Sequence, residues 1–196
     1  MGKTRLEAFS DGVIAIIITI MVLELKAPHE AEMGTLHPLL PIVLSYAMSF
    51  VYVGIYWNNH HHMFHATTRV TGGILWANLH LLFWLSLIPF ATDWMGATHF
   101  AALPMALYGA VLALSGLAYL ILQRTIIAEQ GQDSMLAKAV GRDIKGKVSF
   151  FLYILAMGLA FVHPALAGAV YLGVAAMWII PDPRIERTLA EHPGHE

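Results

Sequence analysis

The 196-residue sequence has no cysteine and few charged residues. Without cysteine, neither a disulfide framework nor a thiolate metal site is possible. Charged residues make up 12% of the chain and hydrophobic residues 58%, whereas soluble domains carry roughly 25% charged residues. Together with a mean hydropathy of +0.64, this composition indicates a membrane protein, and the long apolar runs predict that it is all-α.

Motifs of enzymes and nucleic-acid-binding proteins are also missing. The sequence has no Gly-rich phosphate loop, no Walker pattern and no Ser-x-x-Lys motif, and no single segment joins a nucleophile to an adjacent base. Its composition is not that of a nucleic-acid-binding protein. We therefore expect no catalytic residues, no cofactor and no nucleic-acid partner.

Long apolar runs divide the chain into six expected membrane-spanning helices. The last run, 148–180, would be about 50 Å long as one helix, which is too long for one crossing. His163-Pro164 divides it, because the residue before a proline disfavours helix. The expected spans are about 5–25, 38–58, 72–91, 100–122, 148–163 and 164–180, with a linker at 123–147 and a tail at 181–196.

The positive charges predict the orientation of these spans. With six spans, ten of the eleven lysine and arginine residues lie on the side of the N-terminus, and only Lys26 lies opposite. By the positive-inside rule, both termini, the linker and the tail are then cytoplasmic. The ten residues are Lys3, Arg5, Arg69, Arg124, Lys138, Arg142, Lys145, Lys147, Arg184 and Arg187.

The first span begins with polar residues. Thr4 and Glu7 have the spacing of a capping box, which predicts a helix that begins at Arg5. Asp11 then lies about 9 Å inside the helix. A carboxylate at this depth must be held by partners, because its burial in hydrocarbon costs several kcal/mol.

Two faces of this first helix differ in chemistry. At about 100° per residue, every seventh residue falls on one line, while Ser10 and Asp11 point about 120 to 140° away from it. Phe9, Ile16 and Leu23 lie on that line, and Gly12 and Thr19 fill the positions between them. These five residues are hereafter the stripe. Several copies that meet around an axis would form a tube of Ile16, Thr19 and Leu23, whereas a single chain would use the stripe for ordinary helix packing. The pattern alone leaves both interpretations open.

A polar cluster at the end of the second span is expected at the depth of Ser10 and Asp11. It contains Trp57, Asn58, Asn59, His60, His61, His62 and His65. Indole, amide and imidazole groups are the donors that a half-buried carboxylate needs. Two other interpretations stay open: solvation at the membrane surface, and a metal site on the histidines, since His61 and His65 are four residues apart.

Four further residues predict local structure or contacts between helices. Asn78 and His80 lie about two turns into the third span, where polar groups normally face other helices. Pro89 is expected to kink or end that span. The fourth helix is expected to continue into the linker and to break at Gly131.

Three motifs together resemble a known family. Arg5-x-x-x-Phe9-Ser10-Asp11, followed by an aliphatic run with Thr19, resembles the signature of the TMEM175 family of potassium channels in its prokaryotic, single-repeat form. Trp57-x-x-His60-x-x-x-Phe64 and Ser86-Leu-Ile-Pro89-Phe90 resemble the ends of the family's second and third helices. The resemblance covers the first half of the chain through motifs and the second half through topology.

The resemblance implies a homotetramer of six-helix subunits in the cell membrane, with a pore lined by the first helix of each subunit. It implies a hydrophobic gate at Ile16 and Leu23 and a contribution of Thr19 to selectivity, with potassium transiently near Thr19 and no fixed metal site. The residues implied to hold the pore helix in place are Arg5, Phe9, Ser10, Asp11, Trp57 and His60. Because the chain has no Thr-Val-Gly-Tyr-Gly filter, we expect a modest preference for potassium over sodium.

A second hypothesis from another class is a proton-coupled carrier. In this alternative Asp11 and His60 relay protons while the protein alternates its access to the two sides. The absence of a detectable inverted repeat and the position of Asp11 away from the stripe both weigh against it.

Overall fold

The first helix begins two residues earlier than the sequence predicts. In the computed structural model, which describes residues 2–28, 32–141 and 143–179, helix α1 runs over Lys3–Leu23. The predicted capping box is wrong: Gly2 is the N-cap, and Thr4 lies inside the first turn. Glu7 instead faces Lys3 one turn away, with 4.0 Å between the ammonium nitrogen and the carboxylate oxygen.

The described residues fold entirely into helices and their connections, which confirms the all-α fold class. A 3₁₀ helix at Met33–Leu39 follows α1. The remaining helices are α2 (Leu40–His65), α3 (Gly72–Leu85), α4 (Ile88–Ala97), α5 (Ala102–Gln130), α6 (Met135–Val140), α7 (Ile144–Val162) and α8 (Pro164–Ile179). The predicted tail at 181–196 lies outside the described residues.

Helix breaks fall close to the predicted positions. α7 and α8 are separated at His163, whose extended backbone precedes Pro164, as predicted. α5 ends at Gly131, where φ of +91° suits glycine, also as predicted. The third span breaks before Pro89 rather than at or beyond it: α3 ends at Leu85, and Pro89 occupies the first turn of α4, where its missing N–H leaves no bond unmade.

Five segments of the described chain are long and apolar enough to cross a membrane. They are Lys3–Leu23, Gly34–His65, Gly72–Ala97, Ala102–Gln130 and Ile144–Val162. α8 is apolar but has only 16 residues, about 24 Å of helix. Its end lies beside the beginning of α7, because the indole N–H of Trp178 donates to the hydroxyl of Ser149 at 2.8 Å.

Hydrogen bonds between helices show which helix ends lie together. The ammonium of Lys3 donates to the carbonyl of His65 at 3.1 Å, which places the end of α2 beside the beginning of α1. The hydroxyl of Tyr119 on α5 donates to the carbonyl of Asn59 on α2 at 3.2 Å. This end of the bundle, hereafter the basic end, carries most of the described cations, whereas Lys26 follows the opposite end of α1.

Buried tyrosines join the helices of the body. The hydroxyl of Tyr52 on α2 donates to the carbonyl of Tyr171 on α8 at 2.6 Å, and the hydroxyl of Tyr171 donates to the carbonyl of Met105 on α5 at 2.8 Å. Their rings pack against the buried ring of Tyr108. Each buried phenol therefore brings its apolar ring into the core without leaving its hydroxyl unsatisfied.

α2 and α4 approach closely at Gly96. A Cβ atom at this position would lie 2.9 Å from the Cα atom of Ile42 and 2.5 Å from the hydroxyl of Ser45. The neighbour at 2.9 Å is backbone, so a side chain at Gly96 forces the two helices apart. By contrast, a Cβ atom at Gly54 on α2 meets nothing within 4 Å.

We predict that Gly96→Ala destabilises the protein by about 1–3 kcal/mol, because overpacking displaces α4 from α2. Gly54→Ala is the matched control, and it should leave stability unchanged or raise it, because alanine favours helix over glycine. Thermal unfolding of both variants in detergent measures the difference. Equal unfolding temperatures for the two variants would contradict the close approach of these helices.

Candidate functional site

α1 has one buried face and one exposed face within the chain. Its buried residues follow helical spacing and are Leu6, Ser10, Ile14, Ile17 and Met21. All five residues of the stripe are exposed, with 58% exposure at Ile16 and 72% at Leu23. The two faces that the sequence separated are therefore separated in the structure, and no part of residues 2–28, 32–141 and 143–179 covers the stripe.

A chain of hydrogen bonds fixes the buried face of α1 to α2 and α3. The hydroxyl of Ser10 donates to the carbonyl of Leu6 at 2.9 Å. The amide nitrogen of Asn78 on α3 lies 2.9 Å from the Ser10 oxygen, and its amide oxygen lies 2.8 Å from Nε2 of His60 on α2. The side chains of Ser10, Asn78 and His60 are all buried.

The carbonyl at one end sets the direction of this chain. Because the Leu6 carbonyl only accepts, the Ser10 hydroxyl must donate to it and must accept from the Asn78 amide. The Asn78 oxygen is then left as the acceptor for His60, so Nε2 of His60 carries the proton. Every link is satisfied in this one arrangement, which makes the rotation of α1 about its own axis specific.

Asp11 has a separate partner. The indole N–H of Trp57 donates to its carboxylate at 3.0 Å, and the Trp57 ring stacks on the ring of His61 with 6.1 Å between centroids. The carboxylate is half-buried, and the indole N–H supplies the hydrogen-bond donor that a carboxylate at this depth in the helix needs. With the bond from Lys3 to the carbonyl of His65, α1 is held at successive levels along α2.

Two residues of the predicted structural motif do not join this anchor within the chain. Arg5 is exposed, and no hydrogen bond or ion pair among the described residues involves its side chain. Phe9 is exposed and belongs to the stripe. The anchor that the chain itself contains therefore consists of Ser10, Asp11, Trp57 and His60 together with Asn78.

Asn78 is the functional residue that sequence reasoning left without a role. Its amide in an apolar helix indicated a contact with another helix, and the structure confirms that contact. The same expectation for His80 is not met within the chain, since His80 is exposed and accepts the indole N–H of Trp84 at 2.9 Å on its own helix.

Thr19 presents acceptor oxygen to the exposed side. Its hydroxyl donates to the carbonyl of Ile16 at 3.0 Å, so its proton is already used. The remaining lone pairs of the hydroxyl oxygen are free to accept or to contact a cation. Thr19 lies about 4.5 Å along the axis from Ile16 and about 6 Å from Leu23, so one polar position separates two apolar ones.

A groove of about 570 Å³ runs beside the stripe, between α1 and the break that separates α3 from α4. Ile16 and Ile20 line one side, and Pro89 and Phe90 line the other. The uncovered surface of the chain thus includes both the stripe and this apolar recess.

The histidines at the end of α2 lie near one another without forming a multidentate site. The ring centroids of His61 and His65 are 6.5 Å apart. Among residues 2–28, 32–141 and 143–179, no group of three or more His, Asp or Glu side chains is arranged to hold a metal ion.

Comparison with known proteins identifies the family. Residues 5–89 match the family model described as "Endosomal/lysosomal potassium channel TMEM175". A potassium channel of Chryseobacterium sp. (strain P1-3) is 54% identical over 192 residues, which cover 98% of this chain and 100% of the relative. A potassium channel of Streptomyces collinus is 32% identical over 190 residues, 89% of each chain.

The fold has a match among solved structures as well. The crystal structure of a lysosomal potassium-selective channel TMEM175 homolog from Chamaesiphon minutus superposes with a TM-score of 0.80 at 25% identity, covering 91% of this chain and 96% of that one. The near-complete coverage by the Chryseobacterium relative extends the likeness beyond the motifs of the first half. The chain therefore belongs to the TMEM175 family of channels, as its motifs predicted.

Proposed function

We propose that this protein forms a passive, potassium-preferring channel in which four copies surround one pore lined by α1. The observation that carries the proposal is that α1 is anchored on one face and uncovered along the stripe. Relatives that match most of the chain are named potassium channels, which supports potassium as the permeant ion.

The uncovered surface fits an assembly of copies around an axis. An aliphatic stripe alone also suits lipid, but the stripe here includes Gly12 and the hydroxyl of Thr19, and it is continuous with the recess at Pro89 and Phe90. Small residues and recesses favour close approach of neighbouring helices. In the proposed tetramer, each recess receives side chains of a neighbouring copy while the stripe faces the axis.

In this assembly Ile16 and Leu23 form two apolar rings with Thr19 between them. A narrow apolar ring excludes water and so blocks ions until it widens, which is gating by dewetting. The Thr19 hydroxyl oxygens partly replace the hydration shell of a cation between the rings. Potassium gives up its water at lower cost than sodium does, so the pore prefers potassium, but only modestly without rings of carbonyl groups.

We propose six spans with both termini in the cytoplasm. Most of the described lysines and arginines gather at the basic end, where α1 begins, and Lys26 lies at the other end. The positive-inside rule assigns the basic end to the cytoplasm. α8 serves as the sixth span although it is short, because its end returns to the beginning of α7 through the bond from Trp178 to Ser149.

The geometry favours a channel over the proton-coupled carrier. Such a carrier requires Asp11 and His60 to exchange protons with water and with each other. Instead, the Asp11 carboxylate accepts from Trp57 and the His60 Nε2–H is committed to Asn78. Both side chains lie away from the stripe, and their hydrogen bonds hold α1 against its neighbouring helices.

We predict that Ile16→Asn raises potassium flux into liposomes several-fold, because a polar ring no longer excludes water. Val22→Asn is the control: Val22 is also exposed, at 42%, but points about 120° away from Ile16 around the helix. Flux through the control should equal that of the unmodified protein. An Ile16→Asn protein no leakier than the unmodified one would refute the gate at this position.

We predict that Thr19→Ala lowers the preference for potassium over sodium, because it removes the oxygen ligand between the rings. Thr19→Ser keeps the hydroxyl and should retain the preference. Bi-ionic reversal potentials in a planar bilayer measure both variants. If the permeability ratio of Thr19→Ala is the same as that of the unmodified protein, Thr19 has no part in selectivity.

A further inference from the structure

A second cavity lies away from α1. It has a volume of about 280 Å³ and lies between α2, α5, α7 and the end of α8, with an opening to the outside. No residue of α1 lines it, so it is distinct from the stripe and from the recess beside the stripe. Asn59 and Trp178 place it near the basic end of the bundle, in the half of the membrane where α7 begins.

The walls of this cavity suit an apolar occupant. They include Leu117 and Leu120 of α5 and Phe150 of α7. Two of the phenol groups in the walls already donate inside the protein: Tyr56 to the carbonyl of Leu112 at 3.3 Å, and Tyr119 to that of Asn59 at 3.2 Å. A buried water needs two to four polar partners, and such walls offer few. A hydrocarbon chain is therefore a more favourable occupant of the cavity than water.

One edge of the cavity is polar and charged. Asp143 and Lys147 lie there, at the beginning of α7, beside Ser149 and Trp178. The carboxylate of Asp143 accepts the backbone N–H of Gly146 at 3.2 Å as the cap of the helix. The ammonium of Lys145 lies 6.0 Å from the centroid of the Trp178 ring. Lysines beside a tryptophan at the end of a span are typical of the membrane surface, where they attract anionic headgroups.

The lysines have capacity for a headgroup in addition to their contacts within the protein. An ammonium group carries three N–H donors, so it can bind a phosphate oxygen while it keeps another partner. The cavity, at about 280 Å³, is slightly below the roughly 300 Å³ at which small-molecule pockets begin, so it can take up part of one hydrocarbon chain rather than two chains.

We propose that this cavity holds one acyl chain of an anionic membrane phospholipid, whose phosphate lies at Lys145 and Lys147. The second chain of the lipid stays in the bilayer. The bound lipid fills the space between α2, α5 and the α7–α8 pair and so strengthens the packing of these helices. The proposal does not depend on which ion the pore conducts.

Gly116 on α5 allows the cavity to be closed. A Cβ atom at Gly116 meets only the Tyr56 hydroxyl, at 3.7 Å, so a larger side chain enters the cavity without striking backbone. Gly158 on α7 is the matched control, because it lies outside the cavity and a Cβ atom there meets nothing within 4 Å. Leucine at either position replaces a glycine inside a helix.

The test uses the full-length protein in detergent, with dioleoyl phosphatidylglycerol, dioleoyl phosphatidylcholine and oleate as separate probes. Phosphatidylglycerol should raise the unfolding temperature of the unmodified protein and of Gly158→Leu. Gly116→Leu should bind it at least about tenfold more weakly, because each methylene kept out of the cavity loses a favourable transfer from water. Lys147→Gln should reduce the preference for phosphatidylglycerol over phosphatidylcholine.

Native mass spectrometry of the unmodified protein provides a second measurement that needs no variant. During delipidation, one phosphatidylglycerol per subunit should be the last lipid retained. Three results would overturn the proposal: equal stabilisation of Gly116→Leu and Gly158→Leu, equal retention of phosphatidylcholine, or binding of oleate as strong as that of phosphatidylglycerol. The last result would assign the cavity to free fatty acids.

Discussion

The hydrogen-bond chain from His60 through Asn78 and Ser10 to the carbonyl of Leu6 is the constraint on which the site depends. In apolar surroundings an unsatisfied polar group costs about 1–3 kcal/mol, so a rotation of α1 that breaks one link is opposed by several unmet groups at once. The links have one mutually consistent direction, set by the carbonyl. The bond from Trp57 to Asp11 acts on the same side of the helix. Polar anchoring thus gives an otherwise aliphatic helix a single orientation.

That orientation has a consequence for the opposite face. Because Ser10 is held inward, helical periodicity turns Ile16, Thr19 and Leu23 outward, where they are exposed in the part of the chain that the structure describes. The body of the protein, joined by hydrogen-bonded tyrosines, supports α1 from one side and leaves the stripe exposed. In the proposed channel, the chemistry of anchoring and the chemistry of conduction therefore lie on different faces of one helix, and a change on one face need not alter the other.

Helical periodicity was enough to predict the two faces of α1, and proline chemistry was enough to predict the break between α7 and α8. The role of Asn78 was not predictable, because the partner of a buried amide depends on how α1 and α3 pack, which no local pattern specifies.

The capping box failed for a local reason: Gly2 starts the helix earlier, and Glu7 faces Lys3 instead. Pro89 was placed correctly in a break, but it begins α4 rather than ending α3. The role of Arg5 was predicted from the resemblance, but its exposed side chain makes no hydrogen bond or ion pair within the described residues.

The most direct test of a water-facing stripe uses the absence of native cysteine, since a single introduced thiol is then the only one present. Leu23→Cys and Met21→Cys lie about 3 Å apart along the axis but on opposite faces of α1, one exposed and one buried. Potassium current through each reconstituted variant is recorded before and after a positively charged thiol-specific reagent is added. A pore lined by the stripe requires that current change in Leu23→Cys and stay constant in Met21→Cys and in the cysteine-free protein. Constant current in Leu23→Cys, or a change in Met21→Cys alone, would contradict it.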